Sequence, residues 1–234
     1  LFFFITIIMG DITYNIFGIG ESNNVYQMTN NNLQPITLQR KLQKIFTENP
    51  EYIYAIDLDG NFIYQQKPFI EGNWSMTSQS AIDITSDDKN VYIIDKNNKI
   101  LYAPISLKGG FESFNDNGYY KYNNIYTNKN IKLLIVIGKL STKDCDYTKN
   151  KLMYQSKAIL LNNKKNNSDN KILFNIYDTT ENSGYFNPES ITGNGTKSIV
   201  VSTVDKNLHT LTVSGITLLT NSQSKLKNIS NPVL

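Results

Sequence analysis

The sequence contains one cysteine and one histidine among 234 residues, so most sites built from these side chains are excluded. Cys145 alone cannot form an intramolecular disulfide, which favours a reducing compartment over secretion. Cys145 and His209 could hold zinc only if carboxylates supplied most of the ligands, and neither residue lies in a motif of a Cys–His nucleophile. We therefore interpret His209 as an ordinary strand residue and expect no metal and no cofactor.

Excess charge of one sign is also missing, since 23 Lys and Arg stand against 20 Asp and Glu, for a net charge of +3. Arg40 is the only arginine, and arginine is the usual residue for phosphate and base contacts. The segment 138–146 lacks the spacing of a phosphate-binding loop. We therefore expect no nucleic-acid partner and no nucleotide site.

Long apolar runs are scarce, and the one at the front, LFFFITIIM, has nine residues. A membrane-spanning helix needs about 20 apolar residues, and this run lacks the basic region and cleavage site of a signal peptide. We expect no transmembrane segment. Residues 1–8 are interpreted as a non-native or leader segment or as a strand, and 9–234 as the folded domain. The oligomeric state is open.

Asparagine, in contrast, is abundant, with 32 copies, and isoleucine, lysine and tyrosine are common. Such a composition is typical of a very AT-rich genome, because these residues have A/T-rich codons. It favours a protist, or a large DNA virus that infects protists, as the source. The expected setting is therefore intracellular or a virion, with a structural or host-interaction role.

Two segments 38 residues apart share one strand pattern: YIYAIDLDGNFIYQQ (52–66) and NVYIIDKNNKILYAP (90–104). Alternating apolar residues around a polar turn predict a β-hairpin. The shared strand positions are Tyr54 with Tyr92 and Asp57 with Asp95. Gly60 follows Asp59 in a tight turn, because glycine accepts a positive φ, and Asn97-Asn98 takes the same place in the second copy.

The same pattern recurs along the chain. DITYNIFGIGESNNVYQ (11–27) aligns with 83–102, which places Ile16 on Val91, and weaker copies follow residue 130. Residues that follow the central strand of each copy lie at 20, 57, 95, 138, about 177, and 205. A period near 38–40 with short strands predicts an all-β fold, a single closed β-propeller of five or six blades. Closure would need residues 211–220 to complete the first unit.

Two windows do not fit the strand pattern. In 34–50 the apolar residues recur at helical spacing, so we expect a short helix or an outer strand there. Residues 162–170, NNKKNNSDN, are predicted to form a solvated loop.

One segment, GNWSMTSQSAIDITSDDKNVYIIDKNNKILY (72–102), resembles a tectonin-type β-propeller repeat. Trp74-Ser75 and Asp83-Ile84 stand where that family begins successive strands. The resemblance implies a closed propeller, and members of the family mostly bind glycans, lipopolysaccharide or other proteins. We interpret Trp74 as a core residue between neighbouring blades rather than a sugar platform.

Catalysis is not expected. Asp57, Asp59, Asp87, Asp88 and Asp95 lie in polar turns, which solvate them and do not gather them at one site. The DLDGN segment (57–61) lacks the glycine position and the later glutamate of a calcium-binding loop. A hydrolase with carboxylates at the propeller mouth is the less favoured alternative.

The expected function is binding, through the loops at the propeller faces. The segment 110–126, which is rich in Tyr, Asn and Gly, is interpreted as an inter-strand loop. Its candidate binding residues are Tyr119, Tyr120 and Tyr122, since tyrosine offers a rigid amphipathic surface. A protein partner is favoured over a glycan, because aromatic residues do not recur once per blade. A lectin-like propeller is the alternative.

Overall fold

The computed structural model describes residues 16–20, 23–29, 32–36, 40–68, 70, 72–114, 120–142, 145–146, 150–165, 174–177, 187–193, 198–204, 208–212 and 217–222. These residues form five antiparallel sheets, each built from strands that follow one another in the chain. The predicted all-β class is thereby confirmed. Residues 1–15 lie outside the described residues, so the predictions for residues 1–8 are not tested.

The strands are numbered in chain order. Sheet 1 contains β1 (Ile16–Ile19), β2 (Val25–Thr29) and β3 (Asn32–Ile36). Sheet 2 contains β4 (Leu42–Phe46), β5 (Tyr52–Asp57), β6 (Asn61–Gln66) and β7 (Ser75–Ser80). Sheet 3 contains β8 (Asp83–Ser86), β9 (Asn90–Ile94), β10 (Ile100–Pro104) and β11 (Glu112–Ser113).

The last two sheets complete the described chain. Sheet 4 contains β12 (Tyr120–Tyr126), β13 (Leu133–Thr142), β15 (Lys151–Ser156) and β16 (Asn175–Ile176), with β14 (Cys145–Asp146) paired to β13. Sheet 5 contains β17 (Pro188–Gly193), β18 (Ser198–Thr203), β19 (Leu208–Thr212) and β20 (Thr217–Ser222). Helix α1 (Lys157–Lys165) follows β15, and no helix in the described ranges is long and apolar enough to cross a membrane.

Consecutive sheets touch through their first strands. The first strands contact one another in the order β4, β8, β12 and β17. Each of β5, β9 and β13, the second strand of its sheet, also contacts the first strand of the next sheet. Strand β1 contacts β4 in the same manner, so β1 occupies the place of a second strand. This arrangement is the one expected for propeller blades placed around an axis.

Turns of equal length join the second and third strands of sheets 2, 3 and 5, and also β1 and β2 of sheet 1, where β1 takes the place of a second strand. Five residues separate the pairs Ile19↔Val25, Ile56↔Phe62, Ile94↔Ile100 and Ser202↔Leu208. The fourth residue of the first three turns has a positive φ: 59° at Asn23, 80° at Gly60 and 62° at Asn98. Their spacings of 37 and 38 residues confirm the repeat that the sequence predicts, including the equivalence of Gly60 and Asn98.

These positive-φ residues also hold the next sheet. The carbonyl oxygen of each accepts a backbone N–H from the chain at the start of the following sheet: Leu42 N for Asn23 (3.3 Å), Ala81 N for Gly60 (2.9 Å) and Tyr122 N for Asn98 (3.0 Å). A left-handed residue turns its carbonyl out of the hairpin, which makes that oxygen available to a neighbour. The turn residue is therefore a contact between sheets as well as a bend.

The core is a series of apolar layers, one between each pair of consecutive sheets. The first layer joins Val25 of sheet 1 to Leu42 and Ile53 of sheet 2, and the partly buried Trp74 packs against it. Equivalent layers lie between sheets 2 and 3, 3 and 4, and 4 and 5. Because successive residues of a central strand face two different layers, β5 and β9 are apolar at almost every position. Trp74 thus packs at the edge of the layer between sheets 1 and 2 and is only partly buried there.

Several predicted elements differ from the structure. The described residues of 34–50 contain part of β3 and all of β4, so the strand alternative holds and the helix does not; β4 is however the first strand of sheet 2 and not an outer strand, because its apolar residues pack into layers on both of its faces. Residues 162–165 are the end of α1 instead of a loop; the helix forms because Leu160 packs into the layer between sheets 3 and 4. Residues 120–126 are the first strand of sheet 4 instead of a loop.

Two predictions about the repeat are also wrong. The marker near residue 177 follows β16, the fourth strand of sheet 4, and therefore does not belong to a separate unit. The chain segment that forms sheet 4 is longer than the others because it includes the ten-residue β13, the short β14 and helix α1. The described residues of 211–220 pair within sheet 5, through β19 and β20, and do not complete sheet 1.

Position 60 provides a test of the repeat. We expect Gly60→Asn to change the free energy of unfolding little, because asparagine stands at the equivalent positive-φ positions. Gly60→Val should cost about 1–2 kcal/mol, since a β-branched residue is strained there. Urea unfolding of both variants measures the difference, and equal stabilities would contradict the assigned conformation.

Candidate functional site

The sequence-predicted aspartates Asp57 and Asp95 close the turns between second and third strands. The Asp57 Oδ1 accepts the backbone N–H of Asp59 (3.1 Å) and Asn61 (2.8 Å). The Asp95 Oδ1 accepts those of Asn97 (2.9 Å) and Lys99 (2.8 Å). Both side chains are buried, contrary to the predicted solvation, because each carboxylate replaces water as the acceptor for its turn. Their role here is structural.

Asp83, the first residue of β8, joins three sheets. Its Oδ1 pairs with the Lys44 Nζ of β4, and its Oδ2 accepts the backbone N–H of Ile125 in β12 at 2.9 Å. Its Oδ1 also accepts the N–H of Ile84 at 2.7 Å. The carboxylate is almost completely buried, so the charge is stabilised only by these donors. The first strands of sheets 2, 3 and 4 are held at this one side chain.

A second set of polar contacts lies where the first strands end. Asn49, Asp87 and Asn128 each accept, through a side-chain oxygen, the backbone N–H groups two and three residues further on, at 2.7–3.1 Å. A threonine stands two residues before Asn49 and Asp87, as Thr47 and Thr85, and directly before Asn128, as Thr127. We call the surface formed by these three turns, residues 47–52, 85–90 and 127–132, the first-hairpin face.

These turns are linked from sheet to sheet. The Asn49 Nδ2 donates to the Ser86 Oγ (2.9 Å) and to the Asp87 carbonyl oxygen (2.7 Å). Thr85 and Thr127 exchange two hydrogen bonds: the Thr85 Oγ1 donates to the Thr127 carbonyl (2.7 Å) and accepts the Thr127 N–H (2.9 Å). Since all these groups are buried, each bond satisfies a polar atom that would otherwise be costly to desolvate.

Tyr126 brings together three sheets that are not all consecutive. Its hydroxyl, on β12 of sheet 4, donates to the Glu48 Oε2 of sheet 2 at 3.0 Å and accepts a hydrogen bond from the Asn128 Nδ2 at 3.0 Å. A Cβ placed on Gly193, the last residue of β17 in sheet 5, would lie 1.9 Å from this hydroxyl. Gly193 therefore leaves the space that the tyrosine occupies.

Glu48 has the clearest electrostatic perturbation among the carboxyl groups. Burial raises the pKa of Glu48 to about 7, against a usual value of 4.5, and the hydrogen bonds from Tyr126 and Asn128 lower the pKa in part. The folded chain therefore holds a proton on this carboxyl group to a higher pH than a solvated glutamate would. Glu48 was not among the predicted site residues, although the recurring Thr47-Glu48-Asn49 and Thr85-Ser86-Asp87 triplets, 38 residues apart, mark its position.

A groove opens beside these contacts, between sheets 3 and 4. It has a volume of about 310 Å³ and is lined by residues of the two first-hairpin turns and by Lys157 and Leu161 of α1. The Lys157 Nζ at the rim donates to the Asp87 Oδ2 (2.8 Å) and the Asn128 carbonyl (3.1 Å). We call this feature the lysine groove, since Lys89, Lys129 and Lys132 also line it.

The predicted binding tyrosines do not form a shared surface. Tyr122 is fully buried in the layer between sheets 3 and 4, 5.6 Å from the ring of Phe174. Tyr120 is half-buried and stacks on Tyr122, and Tyr119 lies outside the described residues. Burial of Tyr122 does not agree with a binding role for that residue. Tyr54 and Tyr92, predicted as strand positions, are core residues of adjacent layers.

Metal-binding and nucleophilic groups are not gathered in the part of the chain that the structure describes. No three Asp, Glu, Cys or His side chains there are placed to hold a metal ion. Cys145 lies in β14 of sheet 4 and His209 in β19 of sheet 5, and their side chains are outside the described positions.

Comparison with known proteins supports the fold. Neither a protein-family model nor a curated protein sequence matches the chain. Among solved structures it is similar to Prp20p from Saccharomyces cerevisiae, a β-propeller protein studied for its binding to Gsp1p and histones. The TM-score is 0.52 at 8% identity, and the match covers 85% of this chain and 56% of Prp20p. The likeness shows a propeller fold; the tectonin-type resemblance stays a prediction.

Replacement of Asp83 tests its role between the sheets. Asp83→Ala removes the acceptor for Ile125 N–H and leaves Lys44 without its carboxylate, so we expect a loss of about 3 kcal/mol in the free energy of unfolding. Asp83→Asn keeps one acceptor and should lose less. The exposed Asp88→Ala is the control and should stay within about 0.5 kcal/mol of the unchanged protein. Equal urea midpoints for the Asp83 and Asp88 variants would contradict the assignment.

The raised pKa of Glu48 predicts a pH dependence. Because the folded chain holds the Glu48 proton to a higher pH than the unfolded chain, the associated stability is fully present below about pH 4.5 and is lost as pH rises through 7. The loss should amount to about 1–3 kcal/mol. Glu48→Gln, which keeps an oxygen for Tyr126, should flatten the stability profile across this window.

The matched control is Glu51→Gln, which alters an exposed carboxyl group in the same turn. It should leave the slope between pH 4.5 and 7 unchanged. A flat profile in the unaltered protein, or equal slopes in the Glu48 and Glu51 variants, would show that Glu48 ionises in the ordinary range.

Proposed function

We propose that the chain is a non-enzymatic binding module, a closed β-propeller in which the five sheets serve as blades and the first-hairpin face contacts another protein. The proposal rests on the contacts of the buried aspartates. Asp57, Asp83, Asp87 and Asp95 each accept backbone N–H groups, and Asp83 and Asp87 also pair with lysines. Groups used in this way stabilise turns and sheet contacts, which leaves the faces for recognition.

Closure of the ring is supported by the contacts at Tyr126. One side chain of sheet 4 touches both Glu48 of sheet 2 and the backbone at Gly193 of sheet 5. Sheets arranged in an open row would separate sheet 2 from sheet 5. A curved arrangement around a common axis brings their first strands to one place, and completing that curve would set sheet 5 beside sheet 1.

A protein partner is favoured over a glycan by the character of the face. Its turns expose lysine, acidic and asparagine side chains (Lys89, Lys129, Lys132, Glu51, Asp88 and Asn130), and the predicted aromatic platforms are either buried or half-buried where they are described. The binding of proteins by Prp20p is compatible with the same use of a propeller. A virion or host-interaction setting for such a module remains our prediction from composition. A lectin-like propeller is the alternative, and a propeller hydrolase ranks below it.

Two binding assays distinguish the favoured functions. We expect the immobilised chain to capture a protein from its native source, and the purified partner to rebind the purified chain in a saturable manner. A glycan array should show no signal above background. Strong array binding that is lost in Tyr119→Ala/Tyr120→Ala would instead establish the lectin-like alternative, and no binding in either assay would contradict both.

A further inference from the structure

The lysine groove carries a local excess of positive charge. Four lysines line it, Lys89, Lys129, Lys132 and Lys157, against Asp87 and Asp88, which leaves a local net charge of +2 (four minus two). Lys157 and Asp87 already pair with each other at 2.8 Å. Three lysines therefore face a single exposed aspartate, in a chain of 234 residues whose total charge is only +3.

Three lysines of the groove form no ion pair in the part of the chain that the structure describes. Lys89, Lys129 and Lys132 are exposed, and in the ranges that the structure describes no acceptor binds their side-chain Nζ atoms. Exposed lysines separated along the chain usually repel one another weakly and stay apart. Here they converge because the turns of sheets 3 and 4 and the start of α1 meet at the groove.

The backbone beneath these lysines is held in place. The Lys89 carbonyl accepts the N–H of Ile105 at 2.9 Å, and the Lys132 carbonyl accepts the N–H of Lys157 at 3.0 Å. Asn128 holds the turn between Lys129 and Lys132 through the N–H groups of Asn130 and Ile131. Binding an anion here would cost mainly lysine side-chain ordering, because the backbone is already positioned.

The groove also has an apolar part. Ile131 is buried and Leu161 is half-buried, and both line it. A volume of about 310 Å³ is at the small end of ligand pockets. Such a site suits a short segment that carries carboxylates together with an apolar side chain.

We propose that the lysine groove binds a short acidic segment of a protein partner, with carboxylates at Lys89, Lys129 and Lys132 and an apolar side chain against Leu161. This inference rests on the proposed protein-binding function and names the chemistry of the partner. Nucleic acid fits less well, because arginine is the residue best suited to phosphate and base contacts and the described residues of the groove include none. The sole arginine, Arg40, pairs with Asp57 at 3.3 Å, in the turn between β5 and β6. Lysines bind carboxylates as point charges without the paired geometry that phosphate and base readout favour.

A defined peptide tests the proposal. The probe is a fluorescein-labelled peptide of six glutamates around two leucines, measured by fluorescence anisotropy at about 50 mM salt, where the Debye length is longer than under physiological conditions. We expect saturable binding that weakens at least tenfold in the variant Lys89→Glu/Lys129→Glu/Lys132→Glu. A peptide with glutamines in place of the glutamates should not bind.

The matched control carries the same charge change away from the groove, as Lys96→Glu/Lys99→Glu/Lys121→Glu, at three exposed positions. It should bind the peptide within about twofold of the unaltered chain, because exposed charges beyond a Debye length are screened. Equal weakening in both triple variants, or no binding of the acidic peptide, would overturn the proposal. Displacement of the peptide by a single-stranded oligonucleotide of equal charge at a lower concentration would overturn it in favour of nucleic acid.

Binding of the partner captured from the native source distinguishes failure of the groove from failure of the proposed protein-binding function. Loss of its binding in the groove variant, with retention in the control variant, supports both proposals. Retention in both variants overturns the groove while the proposed function stands. Far-ultraviolet circular dichroism and the melting temperature of each variant confirm that the fold is intact.

Discussion

Buried polar groups at the ends of the first strands are the constraint on which the rest of the structure depends. A first strand that lies next to two other first strands exposes few atoms to water, so its unpaired backbone and side-chain groups need partners from the neighbouring sheets. Asp83 supplies acceptors to β4 and β12, and Thr85 exchanges two hydrogen bonds with Thr127. Each sheet therefore completes the hydrogen bonding of the one beside it, and apolar layers fill the space between consecutive sheets.

Because of this constraint, the polar groups that stabilise the fold differ from the polar groups that are available to a partner. The buried carboxylates and asparagines form hydrogen bonds within turns and between sheets. The exposed side chains of Lys89, Lys129 and Lys132 beside them form no ion pair with the described residues. In the account proposed here, the polar network fixes the backbone of the first-hairpin face and leaves Lys89, Lys129 and Lys132 at a shared groove. Glu48 and Tyr126 lie at the inner end of that network, so ionisation of Glu48 acts on the contact between sheets 2 and 4 and not directly on the groove.

Much of the fold could be predicted from local pattern, because the hairpin turns carry their own signals. Gly60 and Asn98 mark positive-φ positions, and the pattern places Asp57 and Asp95 in the turns, although it does not predict their burial as acceptors for the turn N–H groups. The pattern left helix and strand open for residues 34–50, because the apolar residues of β4 enter two different layers and so have helical spacing. Long-range contacts were beyond prediction, since nothing in the local sequence pairs Lys157 with Asp87 or Glu48 with Tyr126, 70 and 78 residues apart.

Closure of the ring is the central claim, and a distance between sheets 5 and 1 tests it most directly. Spin labels are attached at Val204→Cys and Asn24→Cys in a Cys145→Ser background. Val204 is the second residue of the five-residue turn in sheet 5, and Asn24 is the fifth residue of the equivalent turn in sheet 1. Leu58→Cys and Lys99→Cys are the same positions in the adjacent sheets 2 and 3 and give the reference distance. The account predicts that double electron–electron resonance gives both pairs the same mean distance within the width of the distributions; a longer or much broader distribution for the Val204–Asn24 pair would contradict a closed ring.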